Sequence, residues 1–439
     1  VGAAPEPPRA RDRGPRSGAA RTGRRTPSSV AARLLLAIGL ASPASAAELV
    51  VDSLGDLGAT SGCELRQAIL AANTDAARGG CLAGSGVDTI VFTEGLEGTL
   101  VLGAALPTIQ SSLTIEGPGP DRLTVSGDGA YRVFRVQSGS VTIRGLTIAD
   151  GLVDSFGRGG GLWLIGPANL RLEDCRVTGN AAFNGGGIAI DLGRARIERC
   201  TIDGNTTTGN SGAGIVNESI LQLIDSTVSG NATIGEGRTG GGLLVGNESP
   251  TTTLVRNSTF FGNAAPIGAN IAVLEGAEVE LDSTVLANPI EDVNCDGRIV
   301  SDGHNLADDA SCGLVEPDDL ENVAALLAPL DADGSGPTPI HLPLPGSPLI
   351  DGGDPFDCID AIDQRGTPRP LDGDGDGFVA CDIGAIEVVP EPMGLAGGMA
   401  SLLGLRTLAR WRPGRPRARR AGSEWEGSCS AGEPGARSA

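Results

Sequence analysis

The stretch DGDGDGFVACD, Asp372 to Asp382, puts carboxylates at alternate positions with glycines between them. Short acidic side chains on a freely bending backbone can turn several oxygens toward one point, which is what a hard cation such as Ca²⁺ requires. Asp372, Asp374 and Asp376 match the opening half of a calcium-binding loop, with Asp382 as a fourth oxygen donor. Ile383 stands where such a loop closes with Glu, and Asp382 comes one place early, so a flexible acidic turn is the alternative reading. Asp331, Asp333 and Ser335 form a weaker echo.

A second chemistry is open to Asp174, Arg176, Arg199 and Asp225, which recur about one repeat apart at outward positions. An Arg base acting on a Ca²⁺-bound acidic sugar is the chemistry of a polysaccharide lyase. The alternative is that these charges solvate and protect the outer face of strands. Hydrolysis of the polygalacturonase type needs clustered Asp with a His and an Arg-x-Lys. The chain has no Lys, and its two histidines, His304 and His341, stand in a Gly-Asn turn and a Pro-rich loop. Structural or solvated roles suit both better than general-base work. Aromatic residues make up 3% of the chain, and Trp163 and Tyr131 are the stacking rings the body offers, which argues against a processive sugar cleft.

Charge narrows the partners. Of the 33 Arg and 54 acids in the 439 residues, 16 Arg and 6 acids fall in residues 1–46 and 390–439. The body between keeps 17 Arg against 48 acids, a net charge of −31. So acidic a surface repels nucleic acid and anionic lipid, and also anionic polysaccharide unless divalent cations bridge the two.

The ends read as address labels. In VAARLLLAIGLASPASAAE, Val30 to Glu48, Arg33 precedes an apolar run and Ala44–Ala46 suits signal-peptidase cleavage, the pattern of a secretory signal. Residues 1–29, rich in Arg, Pro and Gly, read as translation from an upstream start, with a functional basic arm as the alternative. Val389 to Arg415 carries Pro-Glu-Pro, an apolar run Met393–Leu405 and an Arg cluster. It resembles the PEP-CTERM sorting signal of Gram-negative bacteria, which implies an exosortase-like sorting protease as partner. The run is too short and glycine-rich for a stable membrane span, so transient membrane contact through residues 393–405 is expected. Residues 421–439 read as a disordered tail. Export agrees with eight cysteines in the body. Cys63/Cys81, Cys295/Cys312 and Cys358/Cys381 are each close in sequence and flanked by loop residues, predicting three local disulfides; no CxxC or HxxxH spacing suggests zinc.

These groups are carried by a repeat. One half-pattern is Gly-Gly-Gly followed by alternating aliphatics, its last Gly or substitute at Gly161, Gly187, Gly214, Gly242 and Asn270. The other ends in Gly-Asn at Asn180, Asn205, Asn231 and Asn263, with Asn288 a weaker fifth copy. A period near 26 residues, holding short alternating strands and no helical pattern, predicts an all-β solenoid: a right-handed parallel β-helix over residues 84–290, about eight coils. Like then stacks on like. Val177, Ile202, Val228 and Phe260 should form one interior column, and Leu146, Cys175, Cys200, Ser226, Ser258 and Ser283 another. The four asparagines should form a turn ladder, amide to amide. The helical spacing in Cys63–Ala77 predicts a capping helix within an N-terminal cap of residues 47–83, with a loop-rich C-terminal region at 291–388.

CELRQAI at Cys63–Ile69 resembles the CSLREA motif of secreted bacterial β-helix proteins, with Glu64 and Gln67 departing from it. GHNL (Gly303–Leu306), PGSPLIDGG (Pro345–Gly353), DQRGTPRP (Asp363–Pro370) and CDIGAIE (Cys381–Glu387) are similar to the C-terminal region of the choice-of-anchor Q proteins. The resemblance spans residues 48–412. It implies secretion to the cell surface or outer membrane of a Gram-negative bacterium and says little of activity. The GGGI and Gly-Asn pairing is similar, more loosely, to repeats of polymorphic outer-membrane autotransporters. The function expected is non-catalytic: structural, adhesive or binding to an exopolysaccharide matrix. The alternative is a pectate-lyase-like polysaccharide lyase or a glycoside hydrolase.

Overall fold

Alternating aliphatic and polar residues make short strands, and the Gly and Asn between them bend the chain before a strand can lengthen. In the computed structural model a succession of such bends closes each coil. It describes residues 46–390, apart from 59–61, 155, 208, 210, 247, 249, 250, 331–335, 356, 357, 359 and 360. The sorting segment from Glu391 onward, most of the export signal, Asp331, Asp333 and Ser335 lie outside the described residues.

One coil runs Asn169–Glu173, Arg176–Thr178, Ala181–Ala182 and Ile188–Ile190 before Arg194 starts the next. Every strand pairs in parallel with its equivalent one coil on, giving sheets of ten, ten, three and seven strands. We call these, in coil order, the first, second, short and third sheets. Eight strands of the first sheet fall within residues 84–290. Glu48–Val51 adds one before them and Ile299–Ser301 one after.

Val177, Ile202, Val228 and Phe260 are register partners in sequence, all fully buried, as the repeat predicts. The turn ladder forms too: Asn180 Nδ2 donates to Asn205 Oδ1, Asn205 to Asn231 and Asn231 to Asn263, each at 2.9 Å. Glycine is required beside it, because a Cβ on Gly187 would lie 2.7 Å from the Gly214 carbonyl oxygen.

One member of a predicted column and the weaker fifth Gly-Asn copy are each displaced by one residue. Val285 pairs with Thr259, so Thr284, not Ser283, continues the column after Ser258. Ser283 instead takes the left-handed turn that Asp174, Arg199, Asp225 and Asn257 occupy on earlier coils, at φ between 42° and 50° throughout. Asn288 likewise falls at the place of Gly262, with φ of 52° against 65°, and Pro289 takes the ladder position. The ladder turns aside through Asn270 and Asn294.

The capping helix is Leu65–Thr74, shorter than Cys63–Ala77 because Asp75 turns left-handed at φ 47°. It buries Leu65, Ala68, Ile69, Ala71 and Ala72 against the end of the solenoid. Arg66 fastens it, donating to Asp56 at 2.7 and 2.9 Å and to the carbonyls of Ala104 and Ala105. All three predicted disulfides are present: Cys63–Cys81, Cys295–Cys312 and Cys358–Cys381.

The C-terminal region does not trail away. After Leu320–Glu321 the chain returns along the outer face of the second sheet. The carbonyl oxygen of Pro339 accepts from Thr201 Oγ1 at 2.6 Å, and His341 Nε2 meets Ser229 Oγ at 2.8 Å. Ala385 N donates to Thr259 Oγ1 at 3.1 Å. Leu349 and Ile383 pack on Val285 and Ala287. This roof buries the outward side chains Thr201, Thr227, Thr259 and Val285 of four successive coils.

Candidate functional site

The outer faces of the first and second sheets differ in access. On the second, the residues of DQRGTPRP and CDIGAIE form the underside of the roof. Arg369 is fully buried; it donates to the carbonyls of Asp382 and Gly384 at 2.9 and 2.7 Å and lies 3.3 Å from Glu387 and 3.6 Å from Asp225. Glu387 accepts from the N–H groups of Leu371 and Asp382. Burial pushes its carboxyl upward, and Asp382 rises to about 7, through burial first and the Glu387 charge second. His341, between the Ala328 carbonyl and Ser229, is lowered by burial.

The charged residues suited to lyase chemistry are therefore engaged. Arg199 donates to Asp174 at 2.7 and 3.2 Å, and Arg176 to Asp203 at 2.8 and 2.7 Å. Their carboxylate hydrogen bonds raise both guanidinium pKa values. Asp225 lies under Arg369. Of the four, Asp174 and Arg199 meet on neighbouring rungs as an ion pair, whereas Arg176 pairs with Asp203 and Asp225 with Arg369. His304 Nδ1 faces the Gly352 carbonyl at 3.2 Å.

The acidic loop is regrouped by the fold. Asp372 and Asp374 each bring a carboxylate oxygen within 4.8 Å of the other and of one from Asp351, a residue the local pattern does not contain. These carboxylates accept main-chain N–H groups: Gly373 and Asp374 donate to Asp351, Gly375 and Gly377 to Asp372. Asp376 caps Phe378 N instead, outside the trio. Asp382 belongs to the roof, where it accepts from the N–H groups of Asp351 and Val388.

On the first sheet the outer face carries an open groove of about 360 Å³. Two columns of outward side chains line it. In register across the rungs, Ser140, Asn169, Arg194 and Ile220 form one, and Thr142, Arg171, Arg196 and Gln222 the other. Arg171 donates to Glu198 at 2.7 and 3.0 Å and also pairs with Glu173. Arg196 pairs with Glu198 and reaches Gln222 Oε1 at 3.1 Å. Burial would raise Glu198, but Arg196 and Arg171 outweigh it and hold its carboxyl below the ordinary value. Arg194 is exposed and makes no ion pair among the described residues. Sequence reading missed this groove, because the side chains along each column change from rung to rung and leave no repeat.

Residues 121–288 match the family model described as the right handed beta helix region. Together with the coil-by-coil pairing, the match supports a right-handed parallel β-helix. Neither a curated protein nor a solved structure matches the chain.

Proposed function

We propose that this chain is an exported, surface-sorted β-helix of the choice-of-anchor Q kind that holds exopolysaccharide along the first-sheet groove without cleaving it. The observation behind this reading is the contrast between two faces of one solenoid. The chain's own C-terminal segment covers four successive coils of the second sheet, while the first presents amide, hydroxyl and guanidinium groups in open columns. Rungs spaced ~4.8 Å apart repeat these groups along the axis, which suits a ligand that is itself a repeat. Guanidinium forks and amides bind paired hydroxyls or a carboxylate, and Arg194 supplies local positive charge on an acidic body. The three disulfides agree with an oxidising compartment.

Against cleavage stands the state of the arginines. An Arg base needs a lowered pKa, yet Arg176 and Arg199 are raised. The lyase alternative would rest on Arg132, brought down to about 10, whose Nε and Nη2 are tied to main-chain carbonyls. Incubating the full-length protein with a glycan panel, with and without Ca²⁺, separates the two. Retention of a polysaccharide with no unsaturated products and no new reducing ends is expected. Accumulation of either product would make the chain an enzyme.

A further inference from the structure

A separate concentration of positive charge sits on the outer face of the third sheet. Arg135 pairs in register with Trp163 on the next rung, and Arg132 reaches the same ring. The guanidinium carbons lie 4.5 Å (Arg132) and 4.9 Å (Arg135) from the indole centroid, so the two cations are less than about 10 Å apart. Trp163 is held in place by its Nε1, which donates to Asp191 at 2.9 Å.

The nearby acids are already engaged. Arg158 bonds Asp191 at 2.8 Å and Glu218 at 2.6 Å. Three guanidiniums thus share two carboxylates, and Arg158 holds both. Among the described residues Arg132 donates only to the carbonyls of Arg158 and Gly159. Arg135 makes no ion pair or side-chain hydrogen bond among the described residues, and its Nε is buried without an acceptor. Burial, and next the Arg135 charge, bring the Arg132 guanidinium down to about 10, partly offset by Asp191. Two half-buried like charges on one ring are unfavourable alone and favourable around a shared anion. A guanidinium's N–H groups form a fork that matches the oxygens of a carboxylate or sulfate.

We propose that Arg132, Arg135 and Trp163 form a subsite for an oxyanion, a carboxylate or sulfate group, borne on a sugar or free in solution. The subsite lies on a different sheet from the groove and does not depend on glycan binding there.

Of the three Trp in the chain, the others are Trp411 and Trp425, so subtracting the fluorescence of a Trp163→Phe protein isolates the Trp163 signal. The full-length protein is titrated at constant ionic strength with glucuronate, acetate, sulfate, glucose and chloride. Saturable changes with glucuronate, acetate and sulfate are expected, and none with glucose or chloride. A glucuronate affinity at least tenfold above acetate assigns a sugar-borne group; equal affinities assign the free anion. Arg135→Gln should weaken binding at least tenfold. Without oxyanion it should melt no lower than the parent, since the repulsion is gone. An equal response to chloride, or an Arg135→Gln protein that titrates like the parent, overturns the proposal. So does an anion-free melt below the parent's, which would make Arg135 a structural residue.

Discussion

Gln364 Nε2 donates to Thr201 Oγ1 at 2.8 Å across 163 residues of sequence, tying the C-terminal roof to the fifth strand of the second sheet. The same amide takes a hydrogen bond from Thr227 Oγ1 at 2.7 Å and donates to Thr338 Oγ1 at 2.8 Å. Each partner is buried. Gln364→Leu keeps the volume and strips the partners, so it should cost about 2–4 kcal/mol, given ~1–3 kcal/mol per buried group left unsatisfied. Urea denaturation measures the loss, and limited proteolysis should cut first within residues 328–388.

The turn ladder predicts a contrast between two asparagines. Asn205 is buried, accepts from Asn180 and donates to Asn231 and the Val177 carbonyl. Asn205→Ala should lower stability by about 2–4 kcal/mol. Asn288 occupies a glycine position at φ 52°, so Asn288→Gly should change stability by less than about 1 kcal/mol. Equal losses at both sites would contradict the assigned register.

That contrast shows how far the sequence could be read. Between Cys175 and Asn263 each coil repeats the same neighbours, so identity at a position reports its place in the fold. Past Asn263 the Gly-Asn pair disappears, and Ser283-Thr284 offers two small hydroxyl residues for one interior slot. Only the Val285–Thr259 pairing decides between them. Local cysteine spacing was enough for the disulfides, whereas Asp351 joins Asp372 and Asp374 only through the folding of the region. The roof was illegible for the same reason: Gln364 reaches Thr201 and Thr227, and Arg369, braced by Glu387, reaches Asp225, all far away in sequence. The motif residues held there by the fold are clamps.

The roof should respond to pH through Asp382. Its folded pKa of about 7 stands above the ordinary 3.8, so the folded state holds the proton more tightly than the unfolded chain. The stability this provides is complete below about 3.8 and is lost as pH rises through about 7. Glu387 has the same sign, and His341, lowered by burial, has the opposite trend below its ordinary 6.5. Comparing Asp382→Asn with the parent cancels the His341 contribution and isolates Asp382 together with its coupling to Glu387. The variant should gain stability relative to the parent as pH climbs from 4 to 7; a difference that stays flat would show that Asp382 does not titrate there.

Cys175 and Cys200 stack on adjacent rungs as free, fully buried thiols, and burial pushes Cys200 well up. Alkylating reagent should label neither in the native protein and both after denaturation. Ser226 and Ser258 fill the same column, each bonding a carbonyl two residues back at 2.7 Å. Cys200→Ser should therefore fold, at a cost below about 1.5 kcal/mol.

The most direct test of the account is the affinity of a retained polysaccharide for a groove variant. Asn169→Ala combined with Arg194→Gln removes side chains that take part in no ion pair among the described residues, and should leave the melting temperature unchanged. Calorimetric titration should then show at least a tenfold loss of affinity, with Arg135→Gln unaffected for a neutral glycan. Unchanged affinity in the double variant would place glycan binding elsewhere and contradict the assignment of the first-sheet face.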